Sequence, residues 1–306
     1  MPKIYFIIVT YNAMKWAEKC FSSLRKSSVA VNVIVVDNGS TDGTQDFIQT
    51  NFPEVEFIQS PKNLGFGKAN NLGIELAYKK GADFFYLMNQ DAWIYEDTVE
   101  KLLNFYENHQ EKEEIGILSP VHLDGSEKNV EIFVEKYLAE NAVKERIFSD
   151  LLLNKDHTFY ELDFINAAHW FLTKDTIEKV GGFNPYFFHY GEDNEYVNRL
   201  RFQEKKIYLI KDCFAVHDGK QELEKVDYSQ FTDTSIETKI LNPTLNLTPE
   251  MFEKSLRQGI FKNTFLRNSE EAKKQRTALK RIKQNSQELK KLKRIIAEDP
   301  HPFLNL

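Results

Sequence analysis

The sequence predicts an α/β protein with a mostly parallel central sheet flanked by helices, extended at its C-terminal end by further helices. Three observations carry this. From Ile4 to about Asn108, short apolar runs alternate with helix-length amphipathic segments, as in strands joined by crossover helices. The runs are apolar almost throughout rather than alternating, as strands covered on both faces must be. After Asp218 the chain turns to charged, helix-prone sequence with sparse apolar anchors.

Taken in order, Ile4 to Val9 (IYFIIV) reads as the first strand and ends in Thr10-Tyr11-Asn12, with a helix over Ala13 to Lys26. Val31 to Val36 is the second strand and runs into Asp37-Asn38-Gly39-Ser40-Thr41-Asp42-Gly43-Thr44, where two glycines permit a tight turn and Ser, Thr or Asp can cap a helix. Val55 to Gln59 leads to Asn63-Leu64-Gly65-Phe66-Gly67-Lys68-Ala69-Asn70-Asn71 and a helix to Lys80. Asp83 to Met88 (DFFYLM) is the fourth strand, with Asn89 and Asp91 where it runs out and a helix over Tyr95 to Asn108. Gly116 to Pro120 reads as a strand and turn. Val121 to Tyr160 mixes apolar runs (Val130 to Val134, Ile147 to Leu153) with charges, as a pocket-shaping insertion does. Phe164 to Leu172 is apolar and precedes a short helix, Lys174 to Val180, stopped by Gly181-Gly182. A helix opens at Gly191-Glu192-Asp193, and Ile207 to Ile210 and Phe214 to Val216 read as two short strands, the second ending at His217.

In such a fold the loops after the strands converge on one sheet edge, where ligands bind. Asp91 there can hold a hard divalent cation bridging a diphosphate, or merely cap the following helix. Asp37 can accept the imide N–H of a pyrimidine ring or a ribose hydroxyl, or serve only the turn; for Asn38 the turn is the better reading. Lys68 and Asn70, near a helix start, suit phosphate oxygens. Gly65-Phe66-Gly67-Lys68 matches neither dinucleotide nor P-loop glycine patterns. Glu192 and Asp193 follow an aromatic cluster whose partial burial can tune a carboxylate for base chemistry, whereas Glu195 reads as a dipole and cap partner.

Composition narrows the class. A hydrophobic fraction of 42% with 24 Phe and 13 Tyr supplies a sizeable core, and 306 residues suffice for one large domain with an appendage or two modest ones. The net charge of −6 argues against nucleic acid as the main partner. That charge is uneven: Lys262 to Arg294 holds 12 Lys and Arg against 3 Glu, a local +9. Cys20 and Cys213, in apolar neighbourhoods, suit a reducing cytosol and offer no disulfide framework. The apolar run after Met1-Pro2-Lys3 is too short for a signal peptide, and no run reaches the length of a membrane span, so a cytoplasmic location is expected.

The order of motifs is more specific than any one of them. Ile7-Ile8-Val9-Thr10-Tyr11-Asn12, Val35 to Thr44, Asn63 to Asn71, Asn89-Gln90-Asp91, Gly181-Gly182-Phe183 and Gly191-Glu192-Asp193 resemble the family-two glycosyltransferases of the A-type fold, most of all their rhamnosyltransferase-type branch, over about residues 3 to 218. The resemblance implies a metal-dependent, inverting transfer of a sugar from a nucleotide donor, UDP- or dTDP-linked, to a saccharide or glycolipid acceptor in cell-surface polysaccharide biosynthesis. It implies a catalytic domain over 1–218, with a nucleotide-sugar half to about 118 and an acceptor half beyond, and a basic helical extension over 219–306. Thr10, Tyr11, Asn12, Asp37 and Asn38 would then bind the nucleoside, with Lys68 and Asn70 near donor phosphate and sugar. Asp91 matches the last acid of the family's Asp-x-Asp motif and would bind Mn2+ or Mg2+; Asn89 replaces the first acid, a departure this branch shows. Asp193 would be the general base with Glu192 beside it, and His217 matches a late histidine that contacts metal or diphosphate. Trp170, His189 and Tyr190 are expected as an acceptor platform, although the core is the better reading for Trp170. A non-catalytic sugar-binding or scaffold protein on the same fold is the alternative, and a sugar nucleotidyltransferase is disfavoured because the opening loop lacks a Gly-rich basic turn.

The tail carries two helical patterns. Pro249 to Phe261 has apolar residues at Met251, Phe252, Leu256 and Ile260, suited to docking on the catalytic domain or a second subunit. Lys273 to Ile296 is basic, with Leu279, Ile282, Leu289, Leu292, Ile295 and Ile296 at helical intervals. That stripe is expected to lie on anionic lipid at the inner face of the cytoplasmic membrane, to pair with another helix, or to stay solvated.

Overall fold

The computed structural model describes residues 2–219 and 234–306. Its first half is the expected alternation: β1 (Ile4–Thr10), α1 (Ala17–Arg25), β2 (Asn32–Asp37), α2 (Thr44–Asn51), β3 (Glu56–Gln59), α3 (Phe66–Lys79) and β4 (Phe84–Asn89). Then follow β5 (Ala92–Ile94), α4 (Thr98–Asn108), β6 (Ile115–Leu123), α5 (Ile132–Asn141), α6 (Ile147–Leu152), β7 (Phe159–Leu162), β8 (His169–Thr173), α7 (Lys174–Val180), α8 (Glu192–Phe202) and β9 (Lys206–His217). The tail forms α9 (Ser235–Leu241), α10 (Pro249–Phe265) and α11 (Ser269–Glu298).

The sheet runs β3-β2-β1-β4-β8-β6-β9-β5, with β7 also on β9. Its first four strands are parallel, and beyond β4 it becomes mixed, since β8 runs antiparallel to both β4 and β6 while β6 and β9 pair in parallel. The continuously apolar runs follow from a two-sided core. Tyr5, Ile7, Phe85 and Leu87 face a layer with α3, α7 and α8, whereas Ile4, Phe6, Ile8, Phe84, Tyr86 and Met88 face one with α1, α2 and α4.

Three expectations change. The helix expected from Tyr95 starts at Thr98, because Ala92–Ile94 pairs antiparallel with the end of β9, Ala92 opposite His217. Asp91 therefore sits in the turn between two strands and caps no helix. The two short strands before His217 are one strand, with a register irregularity opposite Pro120 and Val121, where the proline nitrogen has no hydrogen to give the ladder. The lipid-facing stripe of the tail is covered by its own chain: Ile282, Leu289, Leu292 and Ile296 of α11 pack with Ile240 and Leu241 of α9 and with Phe187. On the same packed side Arg281 pairs with the buried Glu237 of α9 and Lys293 donates to Leu245 O and Leu247 O at 2.8 Å each, and none of the helices among the described residues is long and apolar enough to cross a membrane. The chain then returns to the sheet domain. Gly182 N–H donates to Pro302 O at 2.9 Å, Leu304 joins the core and Asn305 N–H donates to Glu75 Oε1 at 3.0 Å.

Candidate active site

Register alone brings three polar strand ends together. Thr10 lies opposite Asp37, and Val9 opposite Asn89, so the ends of β1, β2 and β4 form one edge. Asp37 is fully buried and saturated. Its Oδ2 accepts from Thr10 Oγ1 at 2.8 Å and from Ser40 Oγ, and its Oδ1 accepts from Ser40 N–H at 2.9 Å, Gly39 N–H at 3.1 Å and Gln45 Nε2 at 2.7 Å. The turn use of Asp37 thus occupies the carboxylate, and of its donors the Gln45 amide is half-buried. Asn38 is buried too, giving Nδ2–H to Gly65 O at 3.2 Å and accepting Leu64 N–H at 3.2 Å, so it splices two loops rather than facing the site. Asn12, at φ 52°, accepts Thr41 N–H at 2.9 Å. Tyr11 has its backbone held by Gln90 on both sides, N–H to Oε1 at 2.7 Å and O from Nε2 at 3.2 Å, which leaves its exposed ring at the rim.

Two glycines bring the acceptor-side segment onto the start of α3. A Cβ on Gly65 would collide with Phe188 O, and one on Gly67 would stand 2.8 Å from Phe183 Cβ and 3.8 Å from Glu192 Cβ. Lys68 is exposed at that turn; Asn70 is buried and donates to Phe66 O at 3.1 Å within its own helix. Its neighbour Asn71, which the sequence did not single out, clamps Phe183 by accepting its N–H at 2.7 Å and donating to its O at 2.8 Å.

Glu192 and Asp193 open α8 after Gly191, at φ 100°. Glu192 is buried with Oε2 unpaired, and burial first, then the charge of Asp193, pushes its carboxyl up to about 7. Burial likewise raises Asp193, against the N–H and amide bonds its Oδ1 accepts from Asn194 at 2.8 and 3.1 Å. Glu195 is not a cap: it is buried and pairs with Arg199, whose guanidinium also donates to Val180 O and Gly182 O. His189 and Tyr190 stand exposed just before Gly191, rings 4.1 Å apart. Trp170 leaves the acceptor set. It is fully buried in β8 between β4 and β6, stacks on Phe183 at 5.8 Å and donates Nε1–H to Ile165 O at 3.3 Å.

The turn after β4 meets the end of β9. Asp91 Oδ1 lies 3.6 Å from His217 Nε2, and Asn89 Nδ2 lies 3.4 Å from the same nitrogen. Burial alone would push the Asp91 carboxyl up; His217 outweighs it and holds the group below the usual carboxylate range. Burial would lower His217, but carboxylates on both sides, Asp91 and Glu131, raise it to about 10. An oxygen and a nitrogen 3.6 Å apart are spaced as two ligands bound at about 2.1 Å to one ion would be. Carboxylate with imidazole is also a donor pair that suits a first-row divalent cation, so these residues fit the metal implied for the site.

Behind His217 lies a cluster the sequence did not announce. His122, Glu131 and His217 are buried and offer ligand atoms all within 4.8 Å of one another. His122 and His169 are neutral: burial lowers both, His169 to about 3, and His169 is held between Tyr86 Oη and Val216 O at 3.0 Å each. The sole sequence signal was a glutamate inside the otherwise apolar run Val130 to Val134.

Residues 5–142 match the family described as Glycosyl transferase family 2. This stretch is a family 2 glycosyl transferase domain. Thr10, Asp37, Lys68, Asn89, Asp91 and Glu131 lie inside the matched stretch, while Glu192, Asp193 and His217 lie beyond it. The chain is 25% identical to the dTDP-rhamnosyl transferase RfbF of Shigella flexneri over 215 residues, 70% of this chain and 68% of that protein. It superposes on S. aureus TarS residues 1–349 in complex with UDP-GlcNAc with a TM-score of 0.52 at 16% identity, covering 84% of this chain and 65% of the other. The mannosyltransferase PcManGT of Pyrobaculum calidifontis, solved with GDP-Man and Mn2+, gives 0.52 at 14% identity, covering 84% of this chain and 64% of that one. The fold of the chain is therefore the A-type one, a mixed α/β sheet with flanking helices and a helical C-terminal region.

Proposed function

We propose that this chain transfers a sugar, with inversion, from a UDP- or dTDP-linked donor to a hydroxyl of a saccharide or lipid-linked acceptor in the building of a cell-surface polysaccharide. The observation that carries the reading is the meeting of Asp91 and His217 beyond the sheet edge, in a chain that also keeps two carboxylates with raised proton affinity at the start of α8. Resemblance to a dTDP-rhamnosyl transferase favours the thymidine donor of the two.

The roles divide by chemistry. Asp193, half-buried with Oδ2 outside its bonds to Asn194, takes the proton of the acceptor hydroxyl as that oxygen attacks the anomeric carbon and the bond to the diphosphate breaks. His189 and Tyr190 line the acceptor approach; Glu192 keeps its proton near neutral pH and offers a donor beside the base. Tyr11 and Asn12 meet the nucleoside, Asp37 and Asn38 hold the loops that shape its pocket, and Lys68 faces the diphosphate. Asp91 and His217 would hold Mn2+ or Mg2+, which supplies positive charge to the leaving diphosphate.

A thermal-shift panel tests this, because a ligand of the native state raises the melting temperature by mass action. With UDP, dTDP or GDP, each with and without Mn2+, one of the first two should raise the melting temperature only with the cation, and Asp91→Ala should abolish the shift. No nucleotide-dependent shift in the wild-type protein would sink the reading.

A further inference from the structure

Four buried polar atoms converge behind His217 without a well-formed hydrogen bond: His122 Nδ1, both oxygens of Glu131 and His217 Nδ1. Glu131 is fully buried, just before α5, and its backbone is fastened by N–H donation to His122 O at 2.8 Å. Its Oε1 is 3.4 Å from His217 Nδ1 and its Oε2 is 4.0 Å from His122 Nδ1. A carboxylate in such a place is costly unless something donates to it. His217 can, through Nδ1. Ser119 Oγ gives its one hydrogen to Pro120 O at 3.0 Å, so the His122 proton sits on Nε2, 2.9 Å from that hydroxyl oxygen, and His217 is the ring left to donate to Glu131.

We infer that Glu131 is a positioning residue: it accepts the Nδ1–H of His217 and so fixes the ring with Nε2 turned to Asp91, where a bound cation would take the place of the Nε2 proton. The inference rests on the proposal that Asp91 and His217 hold that cation. Its physical basis is that an imidazole which ligates through one nitrogen carries its proton on the other, and a buried acceptor there sets both the orientation and the basicity of the ligand. The geometry asks for a small closure, from 3.4 Å to ordinary hydrogen-bond length. The other use of the cluster excludes this one. Were His122, Glu131 and His217 to bind a metal of their own, the His217 proton would move to Nε2, which would then face Asp91 as a donor and could not ligate.

The test is Mn2+ affinity of the full chain by calorimetry, in the presence of saturating UDP, dTDP or pyrophosphate. Glu131→Leu and Glu131→Met remove the acceptor at similar volume, and two variants guard against one failing to fold; Glu131→Gln keeps a carbonyl acceptor. The apolar variants should weaken Mn2+ binding about 10- to 100-fold, the usual effect of losing such a support, with Glu131→Gln close to wild type. Wild-type Mn2+ affinity in a folded apolar variant overturns the inference. So does tight Mn2+ binding without any diphosphate that His122→Ala abolishes, since that makes the cluster itself the metal site. If the wild-type protein binds no Mn2+ with any of the three ligands, the proposed function fails and this inference with it, a result separable from one confined to the Glu131 variants.

Discussion

Glu192 keeps its proton to about pH 7, well above an exposed glutamate, because it is buried beside another carboxylate. Linkage turns this into a stability statement. Between the unfolded value of 4.5 and about 7 the native state binds the extra proton, so this group's contribution to stability falls as pH rises through that window and levels off above it. Relative to wild type, Glu192→Gln should gain stability across the same window, to at most about 3 kcal/mol. Urea melts of both proteins from about pH 5 to about pH 8 measure it, and a constant difference would refute it. Residue chemistry was only partly legible. Asp91 and His217 could be named, and the core was the better reading for Trp170, but that Asp37 is saturated by five donors depends on what packs around it.

At the scale of elements, α3 approaches the segment before α8 only because Gly67 has no side chain. Gly67→Ala puts a methyl 2.8 Å from Phe183 Cβ. Overpacking of this kind costs about 1–3 kcal/mol, so the melting temperature should drop by several degrees, and nucleotide affinity should fall as the first turn of α3, which bears Lys68, is displaced. An unchanged melt with unchanged nucleotide binding would show that the contact relaxes freely. The strand and helix alternation up to Asn108 was readable because a two-faced core demands continuous apolar strands. The insertion between β6 and β8 was not, since α5 and α6 are short and buried on only part of their surface.

At the scale of the whole molecule, α11 ties the tail to the segment that carries Tyr190. Leu289 is fully buried with Phe187 in one cluster, and Tyr186 Oη accepts from Asn285 Nδ2 at 2.8 Å. Leu289→Ala should lower stability by about 2–5 kcal/mol in chemical denaturation, as core truncations of leucine do. A loss below about 1 kcal/mol would mean that the tail helices are loosely held and that the cluster is not a core.

What the sequence by itself determined is the alternation of elements, the two-faced sheet and the polar residues that end its strands, because hydrophobic period and turn chemistry are local. Tertiary structure alone decided which of those residues are already engaged by their own chain. It folded the apolar stripe of α11 inward, committed Asn38 to joining loops, turned Asp91 from a helix cap into a partner of His217 and set Glu131 behind that histidine. Each depends on contacts between residues tens of positions apart, and a spacing pattern along the chain carries no record of what packs across it.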